Sequence, residues 1–380
     1  MSELKPYHFF LPIAFLVLLI LPFLNDGLHF SENERNKENR NFTDSITVNV
    51  NNLDVLPENI DNYVNDNFSF RRPLLDLFHY TKFAGFKVSP HPDKVIIGKN
   101  NWFFNAGKEV AIYSGTNQFS NTELNLFSKE WEGRMHYFDS LNIQPYWIVA
   151  PFKHHVYSNQ LPFYITQVKI SSTQQVIQEI SSKYPKLIID PTERLILERD
   201  KKKLFFQLDN HWTYQAGEIV SEMFLEKVKK DFPNASFGEF STPIWKDTLT
   251  RSGNHYDDLG IADVSETVQL LVNKNFKAKE IHKYTFKGIE NFAYGYDYVH
   301  TFENTAIDSN GLRILIIRDS YANALMPFIN DAFKESVWIF DAWQYQLNAE
   351  IIEKIKPDIV LFISLETHID AIIKKYAETN

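Results

Sequence analysis

The chain contains no cysteine. Disulfides, thiol nucleophiles and cysteine metal sites are therefore excluded, while the cellular compartment stays open. It has no long basic run and a formal net charge of -9, which argues against nucleic acid as a partner. It also lacks internal repeats, low-complexity tracts and any H-E-x-x-H zinc pattern. What remains is ordinary for a globular protein, with 44% hydrophobic and 23% charged residues, except that aromatics reach 15%. That surplus suits aromatic-walled clefts, although many of the rings must be plain core. The 380 residues accommodate one large domain with appendages, or two domains.

Charge is absent from one stretch altogether, the apolar run over residues 9–24 within "YHFFLPIAFLVLLILPFL". It is slightly shorter than the roughly 20 residues a spanning helix needs, and Tyr7, His8 and Asn25 can complete the crossing. Pro12 and Pro22 lie near its ends. Lys5 is the only basic residue before it, and no small-x-small cleavage site follows convincingly. The expectation is a cytoplasmic tail over 1–8 and an uncleaved signal anchor over 9–25. Residues from about 26 onward then lie outside the cytoplasm. A cleaved signal peptide and a buried apolar helix are the alternatives.

Residues 26–55 are polar and charged, and read as a linker. Residues 56–119 read as two amphipathic helices and a hairpin turning at Gly98 to Asn101, a region expected to pack on the domain that follows. From 120 to 380 short apolar runs alternate with helical patterns. This predicts a three-layer α/β/α domain with a mostly parallel central sheet, interrupted by an insertion over about 232–305.

In such sheets, ligands sit at the carboxyl ends of the strands. There the sequence places Lys153, His154, His155 and Tyr157; Asp190; Asp209 and His211; Arg318, Asp319 and Ser320; and Asp341. "LRILIIRDSYANALMPFI" (312–329) runs from a doubly covered strand straight into a helical pattern. A serine at that joint is either a helix N-cap or a nucleophile beside free N–H groups. Asp209 and His211 are two apart, so in an extended chain they point the same way and form an orienting acid and a base; Trp212 would wall the cleft. Thr213 or Asp209 could equally cap the next helix. Asp209, His154, His155 and His211 are the rival metal set, although adjacent histidines do not easily face one ion. The loop "RSGNHYDDLG" (251–260) offers Arg251, Asn254, His255 and Asp258 to a cleft, or is plain surface.

Five segments occur in order: "IIGKNNWFF", "PFKHHVYSNQLP", "DNHWT", "SGNHYDDLG" and "IIRDSYANALMPFI". Together they resemble the periplasmic polysaccharide O-acetyltransferases related to alginate acetylation and the neighbouring DHHW proteins, both similar to SGNH hydrolases. The resemblance spans about residues 56 to 365. It implies an SGNH hydrolase-like fold, Asp209 and His211 as acid and base, Ser320 as nucleophile, and no cofactor. It aligns Lys153, Val156, Tyr157, Leu161, Pro162, Asp258 and Leu259 with further family positions. Position 210 is Asn, and Trp343 stands where a basic residue is expected. The implied partners are a polysaccharide acceptor and a membrane-embedded acyl-transfer protein. Backbone N–H groups of Ser320 and Tyr321 would form the oxyanion hole, with Asn254 or Arg318 assisting. Two alternatives share the sequence: an esterase with the same three residues, and a non-catalytic polysaccharide-binding scaffold.

Overall fold

The computed structural model describes residues 53–67, 71–239, 242–260, 264–272, 276–286, 298–340, 345 and 348–369, with scattered positions between 10 and 48. Most of the expected anchor lies outside the described residues. Residues 12–17 are helical, and among the described residues no helix is long and apolar enough to cross a membrane.

Two compact units divide the chain at 90/91. The first holds α1 (Leu56–Asn67) and α2 (Arg71–Tyr80), the two helices read from their apolar spacing. The hairpin expected to travel with them, β1 (Val95–Ile97) and β2 (Phe103–Asn105), belongs to the second unit. Val95, Phe103 and Phe104 are fully buried, and a strand's alternation does not say which core it will join.

The second unit is built on seven strands in the order β4-β3-β11-β9-β10-β8-β7. These are β3 (Gln144–Ala150), β4 (Ile188–Ile189), β7 (Lys279–Ile281), β8 (Val299–Glu303), β9 (Arg313–Arg318), β10 (Glu335–Phe340) and β11 (Ile359–Leu365). From β4 to β10 all pairings are parallel; β8 runs antiparallel to both β10 and β7.

Alternation along the central strands explains the layering. Ile314 and Ile316 of β9, with Leu361 and Ile363 of β11, join the core under α8 (Tyr214–Asp231). Leu315 and Ile317, with Val360 and Phe362, join the core under α4 (Asn121–Ser140), α6 (Ser172–Lys183) and α11 (Ala349–Ile355). A parallel strand needs both faces covered, and successive side chains supply one face each. Capping boxes at Ser120/Glu123 and Ser171/Gln174 start α4 and α6 where the sequence turns from loop to helical spacing.

The supposed insertion over 232–305 is only partly separate. β5 (Trp245–Thr250) and β6 (Glu266–Leu271) pair with each other, with α9 (Asn254–Leu259) between them, but β7 and β8 extend the main sheet. Among the remaining helices, α3 (Lys108–Ser114), α5 (Lys153–Val156) and α7 (Thr192–Glu198) lie between β2 and α8 in the chain.

Candidate active site

β9 delivers Ser320 to the carboxyl edge of the sheet. The segment after it is not the continuous helix the spacing predicts. A 3-10 turn over Ser320–Ala324 comes first, and α10 (Met326–Asn330) follows with Pro327 in its first turn. The cap falls on Asp319 and leaves the Ser320 hydroxyl for another partner. Asp319 is the N-cap, its Oδ1 accepting from Tyr321 N at 2.9 Å. Ser320 Oγ is left to bond His211 Nε2 at 2.8 Å.

Asp209 and His211 do not lie on an extended stretch. They sit in a tight turn closed by the Phe205–Trp212 bridge, with Phe206 N bonding His211 O at 3.2 Å and Thr213 N bonding Leu204 O at 2.9 Å. Asp209 Oδ1 accepts both the His211 backbone N–H, at 2.8 Å, and ring Nδ1, at 2.6 Å. An aspartate bonding the backbone two residues on is the Asx geometry of turns, and here it also fixes the imidazole. Asn254 N donates to Asp209 Oδ2 at 2.9 Å. Burial alone would raise this carboxyl, but the His211 ring and the two N–H donors outweigh it and hold the pKa well below the usual carboxylate range. An ionised carboxylate only accepts, so Nδ1 carries the proton and Nε2 is a free acceptor for the serine hydroxyl. Thr213 is the N-cap residue of α8, but its hydroxyl donates to Lys203 O rather than capping, and Asp209 does not cap that helix either.

Three features that sequence reasoning missed hold this arrangement. Glu266, buried at the start of β6, accepts from Gln207 N (2.8 Å) and Leu208 N (2.9 Å) and pairs with Lys203 at 2.7 Å, so it clamps the turn from behind. Gly217 on α8 lets that helix approach the 3-10 turn closely; a Cβ there would meet Ala324 O at 2.1 Å. Asn323 lines the cleft, and its Oδ1 accepts from Arg318 Nη1 at 2.7 Å, which leaves its amide N–H groups as donors. No motif flags any of them: Glu266 and Gly217 act on partners distant in sequence, and Asn323 acts through a side-chain bond to Arg318 five positions back.

The three catalytic candidates open onto a cavity of about 350 Å³, also walled by Phe206, Trp212, Tyr214 and Gly253. Gly253 has φ +140° and a Cβ there would lie 2.4 Å from Leu208 O, so only glycine fits. The N–H groups of Ser320 and Gly253 have no acceptor among the described residues.

Several expected roles are corrected. The Tyr321 N–H is spent on Asp319 and its hydroxyl donates to Asn210 O at 2.7 Å, so this residue gives no oxyanion donor. Asn254 is held by Asp209 and by Asn210 Oδ1, at 2.9 Å each, and acts on the turn. Arg318 is buried, lies 5.1 Å from the Phe340 ring, and donates to Asp319 O and to Asn323. Trp212 does wall the cleft as expected, and it also donates Nε1–H to Tyr321 O at 2.6 Å, tying the His211 turn to the Ser320 turn. Tyr157 is buried, stacks on Trp102 at 4.0 Å and accepts from Leu204 N at 3.1 Å, so it supports the turn from the core. His255 is fully buried rather than lining a cleft, and Asp258 pairs with Lys94 at the surface. His154 and His155 face away from each other, towards Asn105 O and towards Gln167 and Glu366. Asp190 caps the turn into α7 through Thr192, and Asp341 lies outside the described residues.

Lys153 is also internal, with Nζ 2.7 Å from Phe103 O. Burial pushes its ammonium down to about 7, against the opposing pull of Asp209, Glu266 and Glu109. Between about pH 7 and 10.5 the unfolded chain binds the proton more readily than the folded one, so this group makes stability rise with pH across that window. Below it both states are protonated and the full cost persists. In urea denaturation, wild type should gain on Lys153→Met as pH rises from about 7 to 10; parallel curves would show that the lysine does not titrate there.

The chain was compared with known proteins. No protein-family model and no curated protein matches it. Solved structures do. Bacillus cereus PatB1, solved with a sulfonyl adduct, is 15% identical, with 74% of this chain and 99% of that chain covered and a TM-score of 0.53. A DHHW family protein from Eubacterium siraeum is 16% identical over 76% and 98%, with a TM-score of 0.49. The O-acetyltransferase domain of Pseudomonas putida AlgJ is 12% identical over 76% and 99%, also at 0.49. The likeness to PatB1 is one of fold.

Proposed function

We propose that the chain is a serine O-acyltransferase that moves an acetyl group onto a hydroxyl of an exported polysaccharide. The observation that carries this reading is the continuous line from Ser320 Oγ to His211 at 2.8 Å and on to Asp209 at 2.6 Å, opening onto a cavity. That is the geometry of an activated serine with an oriented base.

His211 Nε2 takes the Ser320 proton as Oγ attacks the acetyl carbonyl. The imidazolium is stabilised by Asp209, which stays ionised. The negative oxygen of the tetrahedral intermediate is met by the N–H groups of Ser320 and Gly253 and by the Asn323 amide, the donors left without acceptors. The leaving oxygen takes the proton from His211, and acetyl-Ser320 remains. A sugar hydroxyl then gives its proton to His211 and attacks the ester, and the serine is restored. Phe206 and Tyr214, half-buried at the cavity wall, offer ring faces to the acceptor. The expected anchor over 9–25 would hold the chain in the inner membrane, with the catalytic unit in the periplasm and a membrane-embedded acyl-transfer protein as donor. These last points rest on the run itself and on the family resemblance.

PatB1 has been solved with a sulfonyl adduct, and the same chemistry tests this chain. The full-length protein, incubated with a sulfonyl fluoride, should gain one sulfonyl group mapped by peptide mass spectrometry to Ser320, and Ser320→Ala should gain none. No adduct, or an adduct on another serine, removes Ser320 as nucleophile and moves the scaffold reading ahead.

A further inference from the structure

The cavity at Ser320 carries little charge. Among the described residues, no lysine or arginine lines it. Its only carboxylate belongs to Asp209, whose side chain is 18% exposed. Arg318, two residues before Ser320, is turned inward over Phe340, with its Nη1 on Asp319 O and Asn323 Oδ1, and Arg251 is exposed between the wall residues Thr250 and Ser252 without lining the cavity itself. Lys153 is sealed beneath the turn against Phe103 O. The rest of the wall is neutral. Phe206 and Tyr214 present half-buried rings, Thr250 and Ser252 carry hydroxyls 2.8 Å apart, and Asn323 offers its amide N–H groups.

We propose that the acceptor bound in this cavity is an uncharged sugar unit, a neutral hexose or N-acetylhexosamine within a glycan, and not a uronate. The inference rests on the acyltransferase reading above and names the substrate class for that site. A pyranose offers a C–H face to aromatic rings, and hydroxyls that both donate and accept, which matches Thr250, Ser252 and Asn323. A uronate would bring its carboxylate beside ionised Asp209, and among the described residues of the wall only the His211 ring stands to offset either charge. The chain's net charge of -9 adds long-range repulsion of a polyanion. The volume, about 350 Å³, lies at the small end of ligand sites and suits one or two sugar rings, so selectivity is set by the unit at the serine.

The test is equilibrium binding to the full-length Ser320→Ala protein, which cannot turn over an acyl group. One panel holds neutral gluco-, manno-, galacto- and N-acetylhexosamine oligosaccharides, and a length-matched panel holds mannuronate, guluronate, glucuronate and galacturonate oligomers. The best neutral oligosaccharide should bind at least about ten-fold more tightly than any uronate at low salt. Ser252→Arg, placing a cation at the exposed rim, should raise uronate affinity several-fold, and added salt should abolish the gain. A uronate that binds as tightly as the best neutral sugar overturns the proposal, as does a neutral panel of which no member binds. Sulfonyl labelling of wild type reads the nucleophile separately, so a failed acyltransferase reading and a failed acceptor assignment give different results.

Discussion

Replacing either Ser320 or His211 with alanine should cut ester turnover by about 10⁴-fold or more, and the double variant should be no slower than either single one. The reason lies in the chain of bonds. His211 Nε2 accepts from Ser320 Oγ at 2.8 Å. Without the base the hydroxyl is a poor nucleophile, and without the hydroxyl the base has nothing to activate, so the second loss removes nothing more. Asp209→Asn should also be severe, by a different route. An amide at position 209 can turn N–H towards Nδ1, which stabilises the tautomer with the proton on Nε2 and points a donor at the serine. It also loses the carboxylate that receives the N–H groups of His211 and Asn254. The measurement is initial-rate and burst kinetics with p-nitrophenyl acetate on the full-length proteins, with far-UV circular dichroism to show that each remains folded. Multiplying effects in the double variant, or burst acylation surviving in His211→Ala, would mean that the two residues do not act as a unit.

How much of this was legible follows from the range over which each feature is written. The central strands were readable because their pattern is local: β9 is apolar from Ile314 to Ile317 and β11 from Ile359 to Ile363, as doubly covered strands must be. Asp209, His211 and Ser320 were readable as residue types at the ends of such segments, but the turn that joins the first two was read as extended chain. That turn is imposed from outside. Glu266 receives its N–H groups, and the start of α9 covers the Leu208 carbonyl with the N–H groups of His255 (3.0 Å) and Tyr256 (3.2 Å). Neither partner is near in sequence, and both lie in the stretch that had read as an insertion. Gly217 was invisible for another reason: an isolated glycine in a helical pattern states a weaker helix, not which backbone will press against it. The oxyanion donor was misassigned at Tyr321 because sequence shows that the first N–H groups of a turn are unpaired by their helix, but not that Asp319 will take one of them.

Asp319 is therefore where the largest loss of stability is expected. It is 1% exposed, and its carboxylate receives Tyr321 N (2.9 Å), Leu365 N (2.6 Å), Tyr345 OH (2.9 Å) and His368 Nδ1 (2.9 Å). It ties the joint at Ser320 to the end of β11 and to Tyr345. Tyr345 is held at φ +44°, a left-handed conformation that L-residues adopt at some cost, with Arg134 Nη1 donating to its carbonyl at 2.9 Å. Asp319→Ala would orphan two buried N–H groups and take the shared anion from the Tyr345 hydroxyl and His368 Nδ1, which lie 3.1 Å from each other. At about 1–3 kcal/mol for each buried donor left unsatisfied, the loss should exceed about 3 kcal/mol, enough to unfold a marginal chain. Asp319→Asn is the informative variant, because it keeps the shape and one acceptor. Burial alone would raise the Asp319 carboxyl, but the His368 bond and charge, with Leu365 N and Tyr345 OH, bring it below its ordinary 3.8. Its folded pKa is thus lower than its unfolded one, so its stabilisation is complete above about 3.8 and is lost as pH falls through the folded value. Urea denaturation should show wild type well ahead of Asp319→Asn near neutral pH, with the gap closing as acid protonates the native carboxyl. A gap that stays constant into acid would mean that shape, and not charge, is what Asp319 contributes behind the serine.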